Sequence, residues 1–544
     1  MSSRFAFLLI IPTILGAVTQ PAPTVSSALN AASYRTPGLS ASGIAQGSIF
    51  TVFGSNIGPS SCSQVLAFPL ATTMCGVTLS VTVNGTSTAP IPLFVSPYQI
   101  NAILPSLTPA GIGTISVSYS NQTSTTAPIQ VVSAAFGTFT PSARGSGQAS
   151  VTDTNYNLNT IVHTLHPGDV GILWGTGLGP ITSSDAAAPP VGNVGSPTVY
   201  VGNTAVTPSY AGRSGCCSGL DQIVFTVPQG VQGCYVPIAV QAGGAVGNIG
   251  TIAVSAVGQN TCSDSVMGQD LVNKLAAGGN VDFGYLRLES INLVISGLAG
   301  SGRGNGDTAY ATFSKFTPTT AYYAEYGVSS GYCVSSAYYV PADMSVAQLD
   351  AGSALSVSGP LVAPGPMTPN QTGSGYYSLN LTQNVSKYMY SDINYTVAGT
   401  GGANVGPFSV TDTTGFASAT TFTGVSALQQ IPRTSDLTVQ WTLGDQASQN
   451  GLVTIGGDSY SDSNFTLVGA FQCTAPASAK KFTIPGWVLS TLPASGSFQN
   501  GSLTVPLGYL WIGQYNNPTT FTASGLDRGI ITDVFNQGTF VYFQ

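Results

Sequence analysis

The only two histidines of the chain, His163 and His166, lie three residues apart, with Asp169 three further on. Two imidazoles and a carboxylate could hold a transition metal. That spacing gathers ligands on one face only in a helix, and Pro167-Gly168 makes this stretch a turn, so a solvated loop is the stronger reading. Gly175-x-Gly177-x-Gly179 could aim backbone N–H groups at a phosphate. Pro180 follows it, with no lysine and no helix, and the stretch reads better as a turn between strands. Asp153-x-Asn155-x-Asn157-x-Asn159 alternates oxygen ligands as calcium loops do, but it lacks the glycine at the sixth place and the closing glutamate. Residues 457–464 are similarly rich in Asp, Ser and Asn. Hairpin tips are the stronger reading of both loops, so no cofactor is expected, calcium being the alternative.

Hydrolysis needs paired carboxylates or a Ser/His/Asp set. Glu289 and Glu325 are the only glutamates, and Asp307 and Asp343 lie in the same part of the chain. No motif marks these four, and no G-x-S-x-G elbow is present. No catalytic, metal-ligating or cofactor-binding residue is assigned, and an enzyme is not expected. Tyr322, Tyr323, Tyr326, Tyr332, Tyr338 and Tyr339 cluster, with Trp487 and Trp511 later. Exposed on a sheet, such rings would stack on sugars or on a protein partner; core packing at alternate positions is the stronger reading.

The elements that carry these residues are strands. Phe53-Gly54-Ser55-Asn56-Ile57-Gly58-Pro59 recurs as Trp174-Gly175-Thr176-Gly177-Leu178-Gly179-Pro180, at an offset of 121 residues (175 − 54). Each copy is an aromatic residue and a Gly/Pro turn closing an apolar run, so Phe53 and Trp174 are expected as core anchors. Tyr98-Gln99-Ile100 recurs as Asp221-Gln222-Ile223 at an offset of 123 (222 − 99). An offset so steady over a whole domain indicates duplication. Residues 77–83 alternate at period two, and Asn84-Gly85 then gives a hairpin turn. Two small β-sandwiches follow from this, each of about seven short strands.

Composition narrows the class. Charged residues are 6 % of the chain, against a usual share of about 25 %. The hydrophobic share of 43 % leaves enough apolar side chain for a folded core. A net charge of −7 without a basic patch argues against nucleic acid and anionic membranes. Arg4, the apolar residues 5–15 and the small residues 16–19 read as a signal peptide over 1–19, and no later stretch is long and apolar enough to span a membrane. Eight cysteines in an exported chain suggest disulfides. Cys62 with Cys75 is expected, and Cys234 with one of the vicinal Cys216 and Cys217, Cys217 being the candidate.

Asn30-Ala31-Ala32-Ser33, Gly47-Ser48, Phe53-Gly54, Ser96-Pro97-Tyr98-Gln99-Ile100-Asn101, Pro167-Gly168-Asp169, Thr176-Gly177-Leu178-Gly179, Gly219-Leu220-Asp221-Gln222-Ile223 and Val227-Pro228 occur together and in this order. Residues 28–257 thereby resemble the Solibacter-type C-terminal domain of many secreted acidobacterial proteins. Each half is also similar to the IPT/TIG branch of immunoglobulin-like folds. The resemblance implies fold and export, and no chemistry. Residues 258–544 resemble, more loosely, an uncharacterised β-rich region that accompanies the same domain. A helix is expected over residues 264–277, stopped by Gly278-Gly279.

The resulting expectation is an all-β chain of tandem immunoglobulin-like β-sandwiches followed by a C-terminal β-rich region. The sandwiches cover 24–135 and 136–257. A β-rich region with one short helix covers 258–345, and a further β-sandwich region covers 346–544. The expected function is that of an exported, non-enzymatic structural or adhesive protein. Its partner would be an extracellular protein or polysaccharide at a cell surface or in a matrix. The alternative is a carbohydrate-binding or carbohydrate-active protein, glycoside hydrolase-like at the extreme, with the third region as its working part.

Overall fold

The computed structural model describes residues 21–294, 303–318, 327–337, 346–371, 373–383, 385, 387–390, 393–412, 421–423, 428–444, 450–464 and 466–544. The chain is all-β, and the helices among the described residues are short. No helix among the described residues is long and apolar enough to cross a membrane.

In the first sandwich, Thr24–Asn30, Ile49–Ser55, Gln99–Ile103 and Ile91–Val95 form one sheet in that order. Ala127–Val132, Gly111–Tyr119 and Val77–Val83 are the main strands of the sheet facing it. Burial along Val77–Val83 alternates without a break, so Val77, Leu79, Val81 and Val83 face the core while Thr78, Ser80 and Thr82 face outward. Asn84 and Gly85 both take positive φ (50° and 78°), the geometry of a tight hairpin.

The second sandwich repeats the plan. Val170–Thr176, Asp221–Thr226 and Tyr210–Arg213 are consecutive in one sheet, and Thr198–Val201 pairs with Gly233–Ala242 in the other. The parity of the strands corrects the expectation for the two aromatic residues. Phe50 and Val52 point into the first core, so Phe53 stands on the other face, half-buried beside the Tyr34 ring at 6.2 Å. Leu173 faces the second core, so Trp174 also turns outward, where its indole N–H donates to Thr152 Oγ1. Phe136 fills the corresponding core space. A Cβ on Gly175 would lie 2.2 Å from its ring, which is why a glycine stands there.

After the second sandwich the helix Gln269–Ala276 buries Leu271, Val272 and Leu275. It starts later than expected because Asp264 Oδ1 accepts N–H bonds from Val266 and Met267 and holds 264–267 as a turn. It ends as expected: Gly278 takes φ 83°, and the N–H of Gly279 reaches back to Lys274 O.

The boundary expected at residue 345, itself outside the described residues, does not separate two units. Strands from both sides join one twelve-stranded sheet. Its main order is Tyr332–Ala337, Val468–Pro476, Leu452–Tyr460, Gly508–Tyr515, Arg528–Phe543, Val281–Val294, Arg303–Phe316 and Tyr376–Asn380. Arg528–Phe543 is long enough to serve two cores. Its first half, with Leu286, Leu288 and Phe313, packs against the small sheet containing Tyr395–Gly399. Its second half, with Ile455 and Phe471, packs under Trp441 and the turn of helix Gly486–Leu489.

Candidate functional site

Asn30, Gly47, Thr176 and Gly219, which belong to the motifs behind the sequence resemblance, meet at the joint between the two sandwiches. Asn30 ends the first strand, fully buried. Its Nδ2 donates to Ala135 O (3.2 Å) and Thr176 O (3.3 Å), and its Oδ1 accepts from the N–H groups of Ala32 (2.9 Å) and Ser33 (3.1 Å). All four hydrogen-bonding positions of the amide are therefore used. Thr176 Oγ1 accepts from the Ile49 N–H and donates to Gly219 O.

The glycine-rich turn at 175–179 does bind an anion, and the anion is the chain's own. Asp221 Oδ2 accepts N–H bonds from Gly177 (2.7 Å) and Leu178 (2.8 Å). Asp221 Oδ1 pairs with Arg213 Nη1, with both side chains buried. Arg213 Nη2 donates to Gly179 O (2.7 Å) and, across the joint, to Gly47 O (3.1 Å). Burial pushes the Asp221 carboxyl upward, and Arg213 with the two N–H groups opposes that shift. In the first sandwich the equivalent turn needs no carboxylate: Gly54 N–H bonds Tyr98 O and Ile57 N–H bonds Pro97 O. Nearby, Asp185 of the second sandwich accepts from the Ser106 N–H (2.6 Å) and Ser106 Oγ (2.9 Å) of the first.

The two histidines part company. His163 Nε2 lies 3.1 Å from Asp153 Oδ2, whereas His166 Nδ1 lies 2.8 Å from Asp169 and its Nε2 bonds Gln259 O. Among the described residues, no group of three or more His, Cys, Asp or Glu side chains could hold a metal ion. Asp153 also accepts from the Asn155 and Asn157 N–H groups and from Asn157 Nδ2, so its oxygens organise their own loop. Burial acts upward on this carboxyl, but the hydrogen bonds from Asn157, His163 and Asn155 prevail and hold it at about 2. Asp462 is arranged in the same way, accepting from Asn464, Thr466 and Ser461.

Disulfides close Cys62–Cys75, Cys216–Cys217, Cys234–Cys262 and Cys333–Cys473. Cys234 does not reach Cys217 as expected. It lies in the sheet opposite the 214–220 loop and points at the segment leaving the sandwich, which brings Cys262 past it. The vicinal pair closes on itself at the exposed loop tip.

Of the four carboxylates weighed for hydrolysis, Glu325 and Asp343 lie outside the described residues. Glu289 and Asp307 stand on opposite faces of the large sheet, because Asp307 pairs in register with Ser290, the neighbour of Glu289. Glu289 accepts from Arg287 (2.6 Å) and Asn536. Asp307 is sealed, accepting from Ser290 Oγ and from the Tyr388 and Met389 N–H groups. Of the clustered tyrosines only Tyr332 is described; its ring packs over Gly202, while Tyr322, Tyr323, Tyr326, Tyr338 and Tyr339 lie outside the described residues. Trp487 stacks on Tyr200 at 4.8 Å and joins the second sandwich to the third unit. Arg35 Nη1 adds a link from the first sandwich to Thr491 O of the third unit, and burial lowers that guanidinium to about 10.

The outer face of the large sheet is polar and aromatic. Tyr285, Arg287 and Glu289 share it along one strand, and Tyr310, Thr532 and Tyr515 stand on it on neighbouring strands. Trp511 and Asp458 lie further along the same face. Burial pushes the Asp458 carboxyl up to about 6. A carboxyl raised in this way favours the fold when protonated. Its contribution is whole below the unfolded value near 4 and is lost as pH rises through about 6. Asp458→Asn is expected to leave stability unchanged near pH 4 and to raise it by about 1–3 kcal/mol at pH 8, read from urea midpoints at both pH values.

No family model and no curated protein matches the chain. Among solved structures, the surface-layer protein SbsC (domains 5-6) is similar at 12 % identity and a TM-score of 0.15, over 43 % of this chain and 99 % of that one. A structure of titin domains is similar at 9 % identity and a TM-score of 0.14, over 70 % and 92 %. A protein of unknown function from Bacteroides thetaiotaomicron is similar at 11 % identity and a TM-score of 0.15, over 76 % and 75 %. Scores this low carry no argument about function.

Proposed function

We propose that the chain is an exported, non-enzymatic structural or adhesive protein. Its two interlocked sandwiches carry the third unit toward an extracellular protein or polysaccharide at a cell surface or in a matrix. One observation carries the reading: the glycine-rich turn with the look of a ligand site is filled by the chain's own Asp221 and Arg213, and Arg213 and Thr176 also bond the first sandwich at the joint. The four disulfides support an oxidising compartment, as does the signal-peptide pattern of residues 1–19. The ordered motifs of residues 28–257 support kinship with the Solibacter-type domain. The test is to express the full chain with its own leader, fractionate the cells, and probe the recovered protein on an array of glycans and matrix proteins with and without calcium. An extracellular or envelope location with binding to a surface component is expected. A cytosolic chain with reduced cysteines would contradict the reading.

A second reading, of a carbohydrate-binding protein with the third unit as the working part, is favoured by the aromatic and hydroxyl-rich outer face of the large sheet.

A further inference from the structure

A cavity of about 560 Å³ lies between that outer face and the second sandwich. This is within the about 300–1,000 Å³ usual for ligand sites. Three units of the chain build it. Tyr235 comes from the second sandwich, the Cys234–Cys262 disulfide and Asp264 from the connecting segment, and Tyr285, Arg287 and Tyr515 from the large sheet. The wall is held firmly. Tyr235 N–H donates to Ser329 Oγ (2.9 Å), Ser329 N–H returns to Tyr235 O (3.1 Å), and the disulfide fixes the rim.

The chemistry of the wall is selective. Three phenols bring both a ring face and a hydroxyl, and burial raises the pKa of each, so all three stay neutral donors across the physiological range. Thr454, Thr474, Thr532, Gln472 and Asn516 add uncharged donors and acceptors. Among the described lining residues the one cation, Arg287, is already paired with Glu289 and lies 5.9 Å from the Tyr310 ring centroid. The Asp264 carboxyl also stands at the wall, where its Oδ1 accepts from the Val266 and Met267 N–H groups. Among the described lining residues an anionic ligand would therefore meet no free positive charge and the Asp264 carboxyl, whereas ring faces among many neutral hydrogen-bonding groups match a neutral polyol with apolar C–H faces.

We propose that this cavity is a binding site for a neutral saccharide, a terminal sugar or short glycan segment, stacked on Tyr285 or Tyr515 and hydrogen-bonded by the surrounding hydroxyls and amides. The site rests on the second reading above and gives it a place and a ligand class.

The experiment titrates the full secreted chain by calorimetry with maltotriose, cellotriose and N,N′-diacetylchitobiose as neutral probes and trigalacturonate as the anionic one. At least one neutral probe is expected to bind. Tyr515→Ala should weaken it by about tenfold, and Tyr285→Phe, which removes only a hydroxyl and keeps the packing, by a few-fold. Tyr98→Ala, on the exposed surface of the first sandwich, should leave it unchanged. Near-UV circular dichroism of each variant verifies its fold. Neutral-sugar binding that survives both cavity substitutions would overturn the site while leaving a carbohydrate-binding role elsewhere. Tighter binding of trigalacturonate would overturn the ligand class. Binding of none of the probes would overturn both the site and the reading beneath it.

Discussion

Asp221→Ala is expected to lower the unfolding free energy by about 3–5 kcal/mol, the usual effect of removing one partner of a buried ion pair. The magnitude follows from what is left behind. The Arg213 guanidinium would be left without its carboxylate in a site where its side chain is 1 % exposed, with the carbonyls of Gly47 and Gly179 facing it. The N–H groups of Gly177 and Leu178 would lose their common acceptor. Each loss leaves a buried polar group unsatisfied, which costs more than the net value of a hydrogen bond. Because Gly47 belongs to the first sandwich, the damage should spread beyond the domain that carries the substitution. Urea denaturation, followed by tryptophan fluorescence and circular dichroism, measures it. A loss below about 1 kcal/mol would mean that the pair is solvated.

Replacing both Cys333 and Cys473 with alanine is expected to lower stability by about 2–5 kcal/mol. The bridge spans 140 residues and joins register partners on two neighbouring strands of the large sheet, both side chains fully buried. Cross-linking so long a loop removes much of the freedom of the unfolded chain, and the strand Tyr332–Ala337 sits at the end of the main strand order, where one neighbour among the described residues holds it. The paired substitution of Cys62 and Cys75, which closes only 13 residues, should cost less. Midpoints of urea unfolding under non-reducing conditions compare the two directly.

What could be read from the sequence was local. The alternation at Val77–Val83, the Asn84-Gly85 turn and the helix stop at Gly278 each depend on residues within one or two turns of chain. The duplication was legible because the same turn chemistry recurs at a constant offset. Strand parity at Phe53 and Trp174 is not legible locally, because a large ring before a glycine suggests a core anchor whereas Phe50, Val52 and Leu173 already fill the inward positions. The joint was not legible. Asn30 meets Thr176 across 146 residues and Arg213 meets Gly47 across 166, and nothing local distinguishes a buried arginine from a surface one. One cue existed: with so few charges in the chain, Asp221 at a position matched by Tyr98 in the other copy marks a difference that needs a partner. The third unit was hidden for a related reason. Its longest strand, Arg528–Phe543, pairs with Val281–Val294, so the cavity beside Tyr285 and Tyr515 exists only once chain ends far apart in sequence have met.

The two sandwiches are locked into one body by Asn30, Thr176, Arg213 and Asp221. Hydrogen exchange at Ile49, Gly177 and Leu178 tests it most directly, since Ile49 donates to Thr176 of the other sandwich and the other two donate to Asp221. These three amides are expected to exchange together, through a single opening near the global unfolding free energy, and Asp221→Ala is expected to speed all three. Fast exchange at Gly177 and Leu178 in the intact chain, slowed by added inorganic phosphate, would contradict it and restore the glycine-rich turn as a ligand site.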